Sequence, residues 1–590
     1  MEQLDVVKEV ESGFKFRWIY EKVDVESFVF YSYKYNLPIK IIEILVKRGI
    51  KNEEELKTFI EAPLNKFINP FEMKDIELAV HRIYNALNSG EKICIYGDYD
   101  VDGITATSII YIFLKEIGAN VIYHIPNGIS EGYSLNKNII RKLAEENVSL
   151  IITVDCGINS YNEVLLAKSI GIDVIITDHH MPKYPELSEA VAVINPYRTD
   201  ESYPFKDLSG VGVVYKLLIA LRYYLDKKNF FTKTKKIPNI LKYLDLVALG
   251  TIGDVSPLIG ENRIIVKHGL AMISSNAERV GIKELKAMLG LYGKKICVSD
   301  ISFIINPRIN AAARIGNGAK GVRLFATNSE IEARKLIEDL NAENRSRRHI
   351  ERRIVKEIQH MIEENRMDLK YKALVLYSHS WHPSIVSVIA SKVVEQYNRP
   401  VIVIAFNGKI GKGSARSQSS FNLYKSIKHI SRLLYDFGGH KNAVGLRVSF
   451  DNISDLQREF NKYVASNLSS EEFTPAINID AILEPEDIND EMFDSIKLLE
   501  PFGEKNPNPL FLMKNVKVVE PFRFSGRNGE TLKGIIEKNG KAFEIVGNKM
   551  FEYKSMLKNV KTLDIIFNLE RNYWSNENFL LKIKDLKKNS

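Results

Sequence analysis

Acidic residues and histidines follow several apolar segments between residues 93 and 254. The segment at 93–96 is followed by residues 97–103, with the sequence Gly-Asp-Tyr-Asp-Val-Asp-Gly. Acidic residues also follow three later apolar segments, at 150–154, 174–177 and 244–249. The candidates for catalysis at these positions are Asp98, Asp100, Asp102, Asp155, Asp178, His179, His180 and Asp254. Carboxylates and imidazoles are ligands for divalent metal ions.

The position of these residues predicts a metal centre. In an open α/β sheet, ligands bind just beyond the carboxyl ends of the strands. A cluster of carboxylates at that edge is unfavourable, because each negative charge disfavours ionisation of the next. Divalent cations remove this repulsion, and oxygen ligands with an imidazole but no thiolate pair favour Mn²⁺ or Mg²⁺ over zinc. Two such ions can activate a water and stabilise both oxygens of a displacement at phosphorus, so the chemistry predicted is phosphoester hydrolysis.

Other interpretations of the acidic segments are weaker. Residues 98–103 also match the start of an EF-hand calcium loop, but its twelfth position is Ile109 rather than the required glutamate. The segment also follows a predicted strand rather than a helix. Taken singly, Asp155 or Asp254 would more often cap a helix or lie in a turn. The coincidence of four such segments favours the metal centre.

The elements that must position these residues alternate between strand and helix. Short apolar segments predict buried strands at 93–96, 121–125, 150–154, 174–177 and 190–194. Amphipathic segments predict the helices between them, at 105–115, 136–146 and 163–170. This alternation predicts an α/β fold in which a parallel sheet carries helices on both faces.

The remaining parts of the chain have their own patterns. Residues 1–75 predict a helical lead-in, and residues 76–327 hold the first α/β domain. Residues 328–368 are charged and favour helix, which predicts a long connecting helix that serves as a solvated spacer. Residues 369–465 predict a second α/β domain, with strands at 373–377, 401–405 and 446–450 and helices at 385–396 and 421–435. Short strands and turns in residues 466–590 predict a small β-barrel.

Basic residues are concentrated near the C-terminus. The 590 residues include 82 Lys and Arg against 74 Asp and Glu, a formal net charge of +8. Residues 501–590 hold 17 of the basic and 10 of the acidic residues, so most of the excess lies there. A module that binds a polyanion has this distribution, and so does a solvated lysine-rich surface.

The composition excludes several classes of protein. With 45% hydrophobic and 26% charged residues, the chain is neither disordered nor fibrous. Cys94, Cys156 and Cys297 are too few and too scattered for a disulfide framework or a zinc site. The first residues lack the pattern of a signal peptide, and no segment approaches the ~18 apolar residues of a membrane helix. We therefore expect a cytoplasmic protein that does not enter the membrane.

At these motifs the sequence resembles the DHH phosphoesterase superfamily, which is named for the triplet that stands here as Asp178-His179-His180. The first motif, 97–103 followed by Thr105, is similar to that of the bacterial single-strand-specific exonucleases rather than the small-nucleotide members. Further family motifs lie at 48–50, 69–71, 306–311, 381–383, 413–417, 437–440, 501–507 and 567–574. The resemblance implies a DHH domain, a connecting helix, a DHHA1 domain and a C-terminal OB-fold.

The resemblance also implies a role for each candidate residue. The positions that match the ligands of a two-metal centre for Mn²⁺ or Mg²⁺ are Asp98, Asp100, Asp155, His179 and Asp254. Those that match residues supporting the ligands or contacting phosphate are Asp178, His180 and Asp102. Arg308 and Arg314 match phosphate-binding positions. The residues that match the nucleotide-binding face of the DHHA1 domain are Ser414, Arg416, Gly438, Gly439 and His440.

Some positions depart from the family pattern. The family commonly has glycine where this chain has Ala313, Ser384 and Ala415, and an arginine in the segment that holds Gly128. A Cβ atom at Ala415 narrows the approach to phosphate if that position needs a positive φ. In the barrel, Tyr573 and Trp574 are candidates for stacking on bases, although they equally suit its core.

The implied function is a 5′→3′ exonuclease that degrades single-stranded DNA to mononucleotides, with a RecQ-type helicase and single-strand-binding protein as expected partners. Two alternatives stay open. A DHH–DHHA1 phosphodiesterase for short oligonucleotides, cyclic dinucleotides or phosphoadenosine phosphate would lack the basic C-terminal module. A non-catalytic replication scaffold with the same fold would lack the metal ligands.

Overall fold

The computed structural model contains two compact units. One comprises residues 62–464, and the other comprises residues 1–61 and 465–590. The described residues are 7–127, 131–132, 134–185, 187–231, 237–275, 279–418, 421–469, 473–526, 529–572 and 579–589. None of the described helices combines the length and the apolar character needed to cross a membrane.

A five-stranded parallel sheet forms the first part of the larger unit. Its strands, in the order in which they lie side by side, are Val121–His124, Lys92–Gly97, Val148–Val154, Asp173–Thr177 and Ala192–Ile194. All neighbouring strands run parallel, so their carboxyl ends lie at one edge. The helices between the strands are Val101–Glu116, Lys137–Glu145 and Tyr161–Ser169. The predicted α/β fold is confirmed, with element bounds that differ by a few residues.

The sheet is covered on both faces because its strands are apolar throughout. Ile93 and Ile95 pack in one core with Ile152, whereas Cys94 packs on the opposite face with Ile151. Successive side chains of a strand point to opposite faces. Near-continuous apolar strands are typical of parallel sheets that helices bury on both sides.

A group of helices packs against this sheet. Helix Ile76–Asn88 precedes the first strand of the sheet. Helix Leu244–Gly253 ends immediately before Asp254 and so places this residue. The other helices of the region are Gly210–Lys227, Gly260–Ser274, Val280–Met288, Val298–Asp300, Asn306–Ile315 and Ala319–Ala326, with a π-helical turn at Ile301–Ile305.

The connecting helix, Glu330–Glu364, has 35 residues, which confirms the predicted long helix. Ser329 caps it by accepting a hydrogen bond from the amide of Glu332. Leu336 and Leu340 belong to the core of the first domain. Further along the helix, Ile354, Ile358 and Ile362 belong to the core of the second domain. The helix is therefore part of both cores, and its interpretation as a solvated spacer is wrong.

The second α/β domain has a mixed sheet. Its strands, side by side, are Leu434–His440, Ala443–Ser449, Ile410–Arg416, Val401–Asn407 and Leu374–Ser378. Its helices are Met367–Lys370, Val386–Tyr397, Leu423–His429 and Ile453–Asn467. The predicted helix at 421–435 is wrong in its last part, because residues from Leu434 onward pair with the next strand. Such non-local pairing overrides a local helical pattern.

The smaller unit begins with a β-hairpin rather than with helix. Strands Val7–Ser12 and Arg17–Lys22 are antiparallel, and the second strand pairs in parallel with Ala476–Ile479. The predicted helical lead-in is therefore wrong for these residues. The helices of this region are Val29–Tyr35, Ile39–Lys47 and Glu53–Glu61. The helical spacing of apolar residues begins at residue 38 and does not extend to the hairpin.

The C-terminal part of the smaller unit is a closed β-barrel. Its ring of strands is Phe511–Val518, Thr562–Arg571, Phe579–Lys588, Lys541–Gly547 and Thr531–Lys538. The ring closes because the first of these strands also pairs with the last. Two short strands and one helix complete it: Ala481–Ile482, Arg523–Ser525 and Asp490–Leu498. The predicted small barrel is confirmed, and it shares one core with helices Ile39–Lys47 and Glu53–Glu61.

Two of the family motifs meet inside this unit. The guanidinium of Arg48 donates a hydrogen bond to the side chain of Asn506 and another, of 2.7 Å, to the carbonyl of Pro507. The amide of Asn506 in turn donates to the carbonyls of Leu499 and Pro501, at 2.9 and 2.7 Å. The motifs at 48–50 and 501–507 thus hold the helices against the barrel.

Candidate metal centre and its surroundings

The first acidic motif turns sharply from strand into helix. Asp98 follows strand Lys92–Gly97 and is buried. Asp100 caps helix Val101–Glu116, because its Oδ1 accepts hydrogen bonds from the amides of Asp102 and Gly103 at 2.9 and 3.2 Å. A Cβ atom at Gly103 would lie 2.5 Å from the carbonyl oxygen of Asp98. The glycine therefore allows the close approach that this turn requires.

Asp155 lies at the end of the neighbouring strand in a strained conformation. Its φ of 62° is left-handed, a region that non-glycine residues adopt at a cost of roughly 1–3 kcal/mol. Its carboxylate Oδ1 lies 3.2 Å from Nε2 of His179. A Cβ atom at Gly210 would lie 2.4 Å from the same oxygen, so a glycine is needed there.

The triplet Asp178-His179-His180 follows strand Asp173–Thr177. Asp178 Oδ1 accepts hydrogen bonds from the amide of His179 at 2.7 Å and from Nδ1 of His180 at 2.7 Å. Burial alone would raise the pKa of Asp178, but the charge and hydrogen bond of His180 outweigh it and lower the pKa to about 2. Burial likewise opposes protonation of His180, yet Asp178 raises its pKa to about 10. The pair is therefore a charged unit that fixes the imidazole of His180.

His179 and Asp254 complete the cluster. His179 Nδ1 lies 3.9 Å from Asp254 Oδ2, and its Nε2 lies 3.8 Å from Asp102 Oδ2. Asp254 Oδ2 also accepts a 2.5 Å hydrogen bond from the hydroxyl of Ser256. Burial, followed by the charge of Asp254, raises the pKa of Asp102 to about 7.

The cluster has the properties of a cation site. Three groups of ligand atoms each lie within 4.8 Å of one another: Asp98, Asp100 and Asp155; Asp155, His179 and His180; and Asp102, His179 and Asp254. Within the described part of the chain, Oδ1 of Asp98 and Oδ1 of Asp155 are buried and accept no hydrogen bond. Burial and neighbouring carboxylates raise the pKa of both groups well above the ordinary value. Buried carboxylate oxygens without partners, beside an imidazole, fit a hard divalent cation.

The predicted arginines lie on the helix beside the cluster. Arg308 Nε donates a 2.7 Å hydrogen bond to Oδ1 of Asn341 on the connecting helix. Arg314 donates 3.0 Å hydrogen bonds to the carbonyl of Ser384 and the hydroxyl of Ser387, in the second domain. Arg314 therefore lies where the two α/β domains meet, while Arg308 is turned toward the connecting helix.

The predicted residues of the second domain lie near Arg314 and the histidines. Arg416 donates 2.9 Å hydrogen bonds to the hydroxyl of Ser414 and the carbonyl of Ala415. Burial, followed by the charge of Arg314, lowers the pKa of Arg416. His440 lies within range of the charges of His180 and His179, which together with burial lower its pKa.

The two adjacent glycines of this domain differ in environment. Gly439 has a φ of 149°, and a Cβ atom there would lie 2.2 Å from the carbonyl oxygen of Ala443. A Cβ atom at Gly438 would meet nothing within 4 Å, so the space in front of it is open. The backbone conformation and the close approach of Ala443 thus require glycine at position 439. The open space at Gly438 can accommodate a ligand.

Sequence reasoning missed two supports of the cluster. The amides of Gly210 and Val211 donate 2.7 and 2.8 Å hydrogen bonds to the two carboxylate oxygens of Asp102. Oδ1 of Asn310 accepts a 2.9 Å hydrogen bond from the amide of Val101. A serine before an apolar helical segment, as at Ser209, indicates the N-cap of a helix. The sequence does not indicate, however, that this helix begins beside Asp102.

The departures from the family pattern have modest structural consequences. Ala415 lies within strand Ile410–Arg416, paired with Val444 and Ile402, and its φ is not positive. The predicted narrowing at this residue is therefore absent. Ser384 contributes its carbonyl to Arg314. Gly128, Tyr573 and Trp574 lie outside the described residues, as does the side chain of Ala313.

Comparison with known proteins agrees with this architecture. Residues 92–251 match the DHH family, N-terminal domain, residues 370–466 the DHHA1 domain, and residues 479–585 the RecJ OB domain. The single-stranded-DNA-specific exonuclease RecJ of Bacillus subtilis is 34% identical over 95% of this chain and 69% of that protein. RecJ of Escherichia coli is 34% identical over 80% of this chain and 83% of that protein.

Solved structures of RecJ are also similar to this chain. The crystal structure of RecJ from Thermus thermophilus in complex with Mn²⁺ has a TM-score of 0.82 and 28% identity, covering 98% of this chain and 80% of that one. Its complex with Mg²⁺ has a TM-score of 0.75. A parallel sheet with this acidic edge, joined to a DHHA1 domain, defines a metal-dependent phosphoesterase of the DHH family. Within that class, the barrel and the relatives show that the chain belongs to the RecJ family.

Proposed function

We propose that the protein is a metal-dependent exonuclease that degrades single-stranded DNA from its 5′ end to mononucleotides. The observation that carries the proposal is the cluster of buried carboxylates and imidazoles at the edge of the parallel sheet. The names of the RecJ relatives support single-stranded DNA as the substrate. The 5′→3′ direction is an inference from the family resemblance.

The cations are held by the residues that the cluster brings together. The proposed ligands are Asp98, Asp100, Asp155, His179 and Asp254. Mn²⁺ and Mg²⁺ are the ions bound by the solved relatives. Such ions activate a water molecule and stabilise the attacking and leaving oxygens of the phosphoester.

The protein's own residues orient the substrate. Arg314 and Arg416 are held by neutral oxygens, so their positive charges are available to a phosphate. Asp178 fixes the imidazole of His180 through a hydrogen bond, and His440 of the second domain lies within range of the charges of both histidines. Asp102 positions the helix that begins at Gly210.

The C-terminal barrel supplies strand binding outside the catalytic domains. A basic barrel of this type holds single strands through backbone charge and base stacking. We further propose that a RecQ-type helicase supplies unwound strands, that single-strand-binding protein is present on the substrate, and that the enzyme acts in the cytoplasm. The barrel also argues against the phosphodiesterase for short nucleotides. Deleting the barrel would not test the phosphodiesterase alternative cleanly. Residues 1–61 share the core of the barrel, so the deletion would also expose the apolar side chains of that region.

End-labelled single strands provide the direct test. With Mn²⁺, a 5′ label should be released as mononucleotide early, and a block at the 5′ end should stop degradation whereas a block at the 3′ end should not. Asp155→Asn should abolish release, while Asp226→Asn, at an exposed aspartate of the same domain, should not. Release by Asp155→Asn at the wild-type rate would refute the catalytic assignment. Release that begins at the 3′ end would refute the direction.

A further inference from the structure

The connecting helix, Glu330–Glu364, carries a line of basic residues on one side of its middle part. Arg345, Arg348, Arg352 and Lys356 are all exposed, and they follow one another at intervals of three or four residues. Side chains spaced in this way lie on the same face of an α-helix. The four residues therefore form a basic stripe that extends for roughly 16 Å along the helix.

The acidic residues of the same helix do not compensate the charge of the basic stripe. Glu351 lies three residues after Arg348, but it is buried and pairs with Arg347 at 2.8 Å. Other carboxylates of this part are also held by groups outside the stripe: Glu343 by Lys320 at 2.7 Å and Glu357 by the indole of Trp381 at 2.8 Å. Within the described part of the chain, no side chain of the basic stripe forms an ion pair. The stripe is therefore available to an anionic partner.

The basic stripe begins beside a helix that is attached to the metal cluster. Oδ1 of Asn341, on the connecting helix, accepts a 2.7 Å hydrogen bond from Arg308. Burial, followed by the charge of Arg348, lowers the pKa of Arg308, so Arg348 lies within range of this guanidinium. Two residues after Arg308, the side chain of Asn310 accepts the hydrogen bond of the Val101 amide, next to the first acidic motif. From this end the stripe runs toward the part of the connecting helix that belongs to the core of the second domain.

The composition of the basic stripe favours duplex DNA over a single strand as its partner. Single strands are held in grooves that combine positive charge with aromatic stacking platforms. Residues 345–356 include no Phe, Tyr or Trp, so the stripe can contact phosphates but cannot stack on bases. In a duplex the bases are stacked inside, and each strand presents a phosphate about every 3.4 Å along the axis. The length of the stripe corresponds to about five of these phosphates.

We propose that the basic stripe binds the phosphate backbone of duplex DNA, and so holds the double-stranded part of a substrate whose single-stranded 5′ tail enters the catalytic domain. Lysine and arginine contacts to phosphate position a protein on a duplex without reading its sequence. The stripe rests on the proposed function, and it extends that function to the junction between single-stranded and double-stranded DNA.

Binding of a tailed duplex tests the basic stripe separately from catalysis. The substrate has a 5′ oligo(dT) tail of about 20 nucleotides, longer than the site of one OB-fold, and a duplex of about 15 base pairs, longer than the stripe. All proteins are full-length and carry Asp155→Asn, so that the strand is not degraded. At a salt concentration of about 0.1 M, the parent should bind the tailed duplex about 10-fold more tightly than the tail alone, because each phosphate contact contributes severalfold at this salt.

A variant with the stripe neutralised should lose this difference between the two substrates. Its substitutions are Arg345→Gln, Arg348→Gln, Arg352→Gln and Lys356→Gln. The matched control loses the same charge at four other exposed lysines of the larger unit and should retain the difference; it carries Lys115→Gln, Lys227→Gln, Lys228→Gln and Lys335→Gln. Replacing the three stripe arginines by lysine keeps the charge and should also retain the difference.

The salt dependence gives a second measure of the phosphate contacts. Each contact to duplex DNA contributes about 0.9 to the slope of log Kd against log salt. The stripe variant should therefore show a slope for the tailed duplex that is smaller by about 3, whereas its slope for the tail alone should equal that of the parent.

Several results would overturn the basic stripe as a duplex site. One is a stripe variant that binds the tailed duplex like the parent, and another is an equal loss in the control variant. An equally large loss for the tail alone would assign these residues to the single strand instead. Loss of binding by the arginine-to-lysine variant would show that charge is not the cause.

The basic stripe and the proposed exonuclease activity can fail independently. If the wild-type protein fails to degrade single strands while the binding effects hold, the exonuclease proposal fails and the stripe stands. If degradation is observed and the stripe variant binds the tailed duplex like the parent, only the stripe fails.

Discussion

The carboxylate of Asp102 holds the N-terminus of the helix that begins at Gly210, through a 2.7 Å hydrogen bond from the Gly210 amide. Its second oxygen accepts from the amide of Val211. A negative charge at this end of a helix is also favoured by the helix dipole. Asp102 thus links the helix that follows the first acidic motif to the helix that packs against Asp155.

Replacing Asp102 by asparagine should change how the stability of the metal-free protein depends on pH. Burial and the charge of Asp254 raise the pKa of Asp102 to about 7 in the folded state, whereas the unfolded chain releases this proton at a pH of about 4. The wild type should therefore lose stability as the pH rises from about 4 to about 8, and Asp102→Asn, which has no charge at this position, should lose less. The measurement is the unfolding free energy with EDTA at both pH values, with Asp226→Asn as control. Equal losses for Asp102→Asn and the wild type would contradict the raised pKa of this carboxylate.

Asp155→Asn should stabilise the metal-free protein. Its Oδ1 accepts no hydrogen bond among the described residues, and asparagine tolerates the left-handed φ of this position. Removing a buried charge among other carboxylates should stabilise the metal-free protein by about 1 kcal/mol.

The same variant should lose the response to metal. Saturating Mn²⁺ at about 100 times Kd stabilises a folded protein by about 2.7 kcal/mol, which should appear as a rise in Tm of the wild type. Asp155→Asn should show little of this rise and no nuclease activity. An undiminished rise in Tm would place the cation elsewhere.

The sequence predicts those parts of the site whose geometry follows from the order of strands and helices along the chain. Parallel strands separated by helices place their carboxyl ends together, so Asp98, Asp155 and Asp178 could be grouped before any contact was known. The contact of Asp102 with Gly210 could not be predicted, because it joins residues 108 positions apart through backbone amides, which carry no sequence signal.

The errors in the fold have a similar physical origin. The helix predicted from local spacing at 421–435 includes Leu434 and Tyr435, but these residues begin strand Leu434–His440, which pairs with Ala443–Ser449. The hairpin that contains Trp18 is stabilised by a strand far away in the sequence, Ala476–Ile479. Local patterns cannot report such pairings, whereas the long apolar strands of the first sheet were unambiguous.

Asp585 should be a major determinant of stability in the smaller unit. It is buried, and its carboxylate accepts hydrogen bonds from the indole of Trp18 at 2.8 Å, the hydroxyl of Tyr553 at 2.6 Å and the amide of Phe16 at 3.2 Å. Asp585→Asn should lower the free energy of unfolding by about 2 kcal/mol, because the NH₂ group of the asparagine would face these donors. Urea unfolding monitored by tryptophan fluorescence measures the loss. Asp494→Asn, at an exposed position, is the control, and equal midpoints for the two variants would contradict the prediction.

Val255 lies immediately after the proposed ligand Asp254 in a backbone conformation that favours glycine. Its φ is 61°, and the amides of Val255 and Ser256 donate to the carbonyls of Ile252 and Thr251 at 3.3 and 3.2 Å. These bonds form a Schellman motif, in which the position of Val255 is usually glycine. A β-branched residue is strained in this region, and the side chain is 65% exposed, so burial offsets little of the strain.

Val255→Gly should therefore raise the stability of the metal-free protein by about 1 kcal/mol. The matched control is Asn398→Gly, at another left-handed helix end with a φ of 49°, where the gain should be smaller because asparagine tolerates this conformation. Thermal unfolding with EDTA measures both. Equal gains would show that the β-branch of Val255 adds no strain. A lower Tm for Val255→Gly would show that contacts of the valine side chain exceed the cost of its backbone conformation, which its exposure argues against.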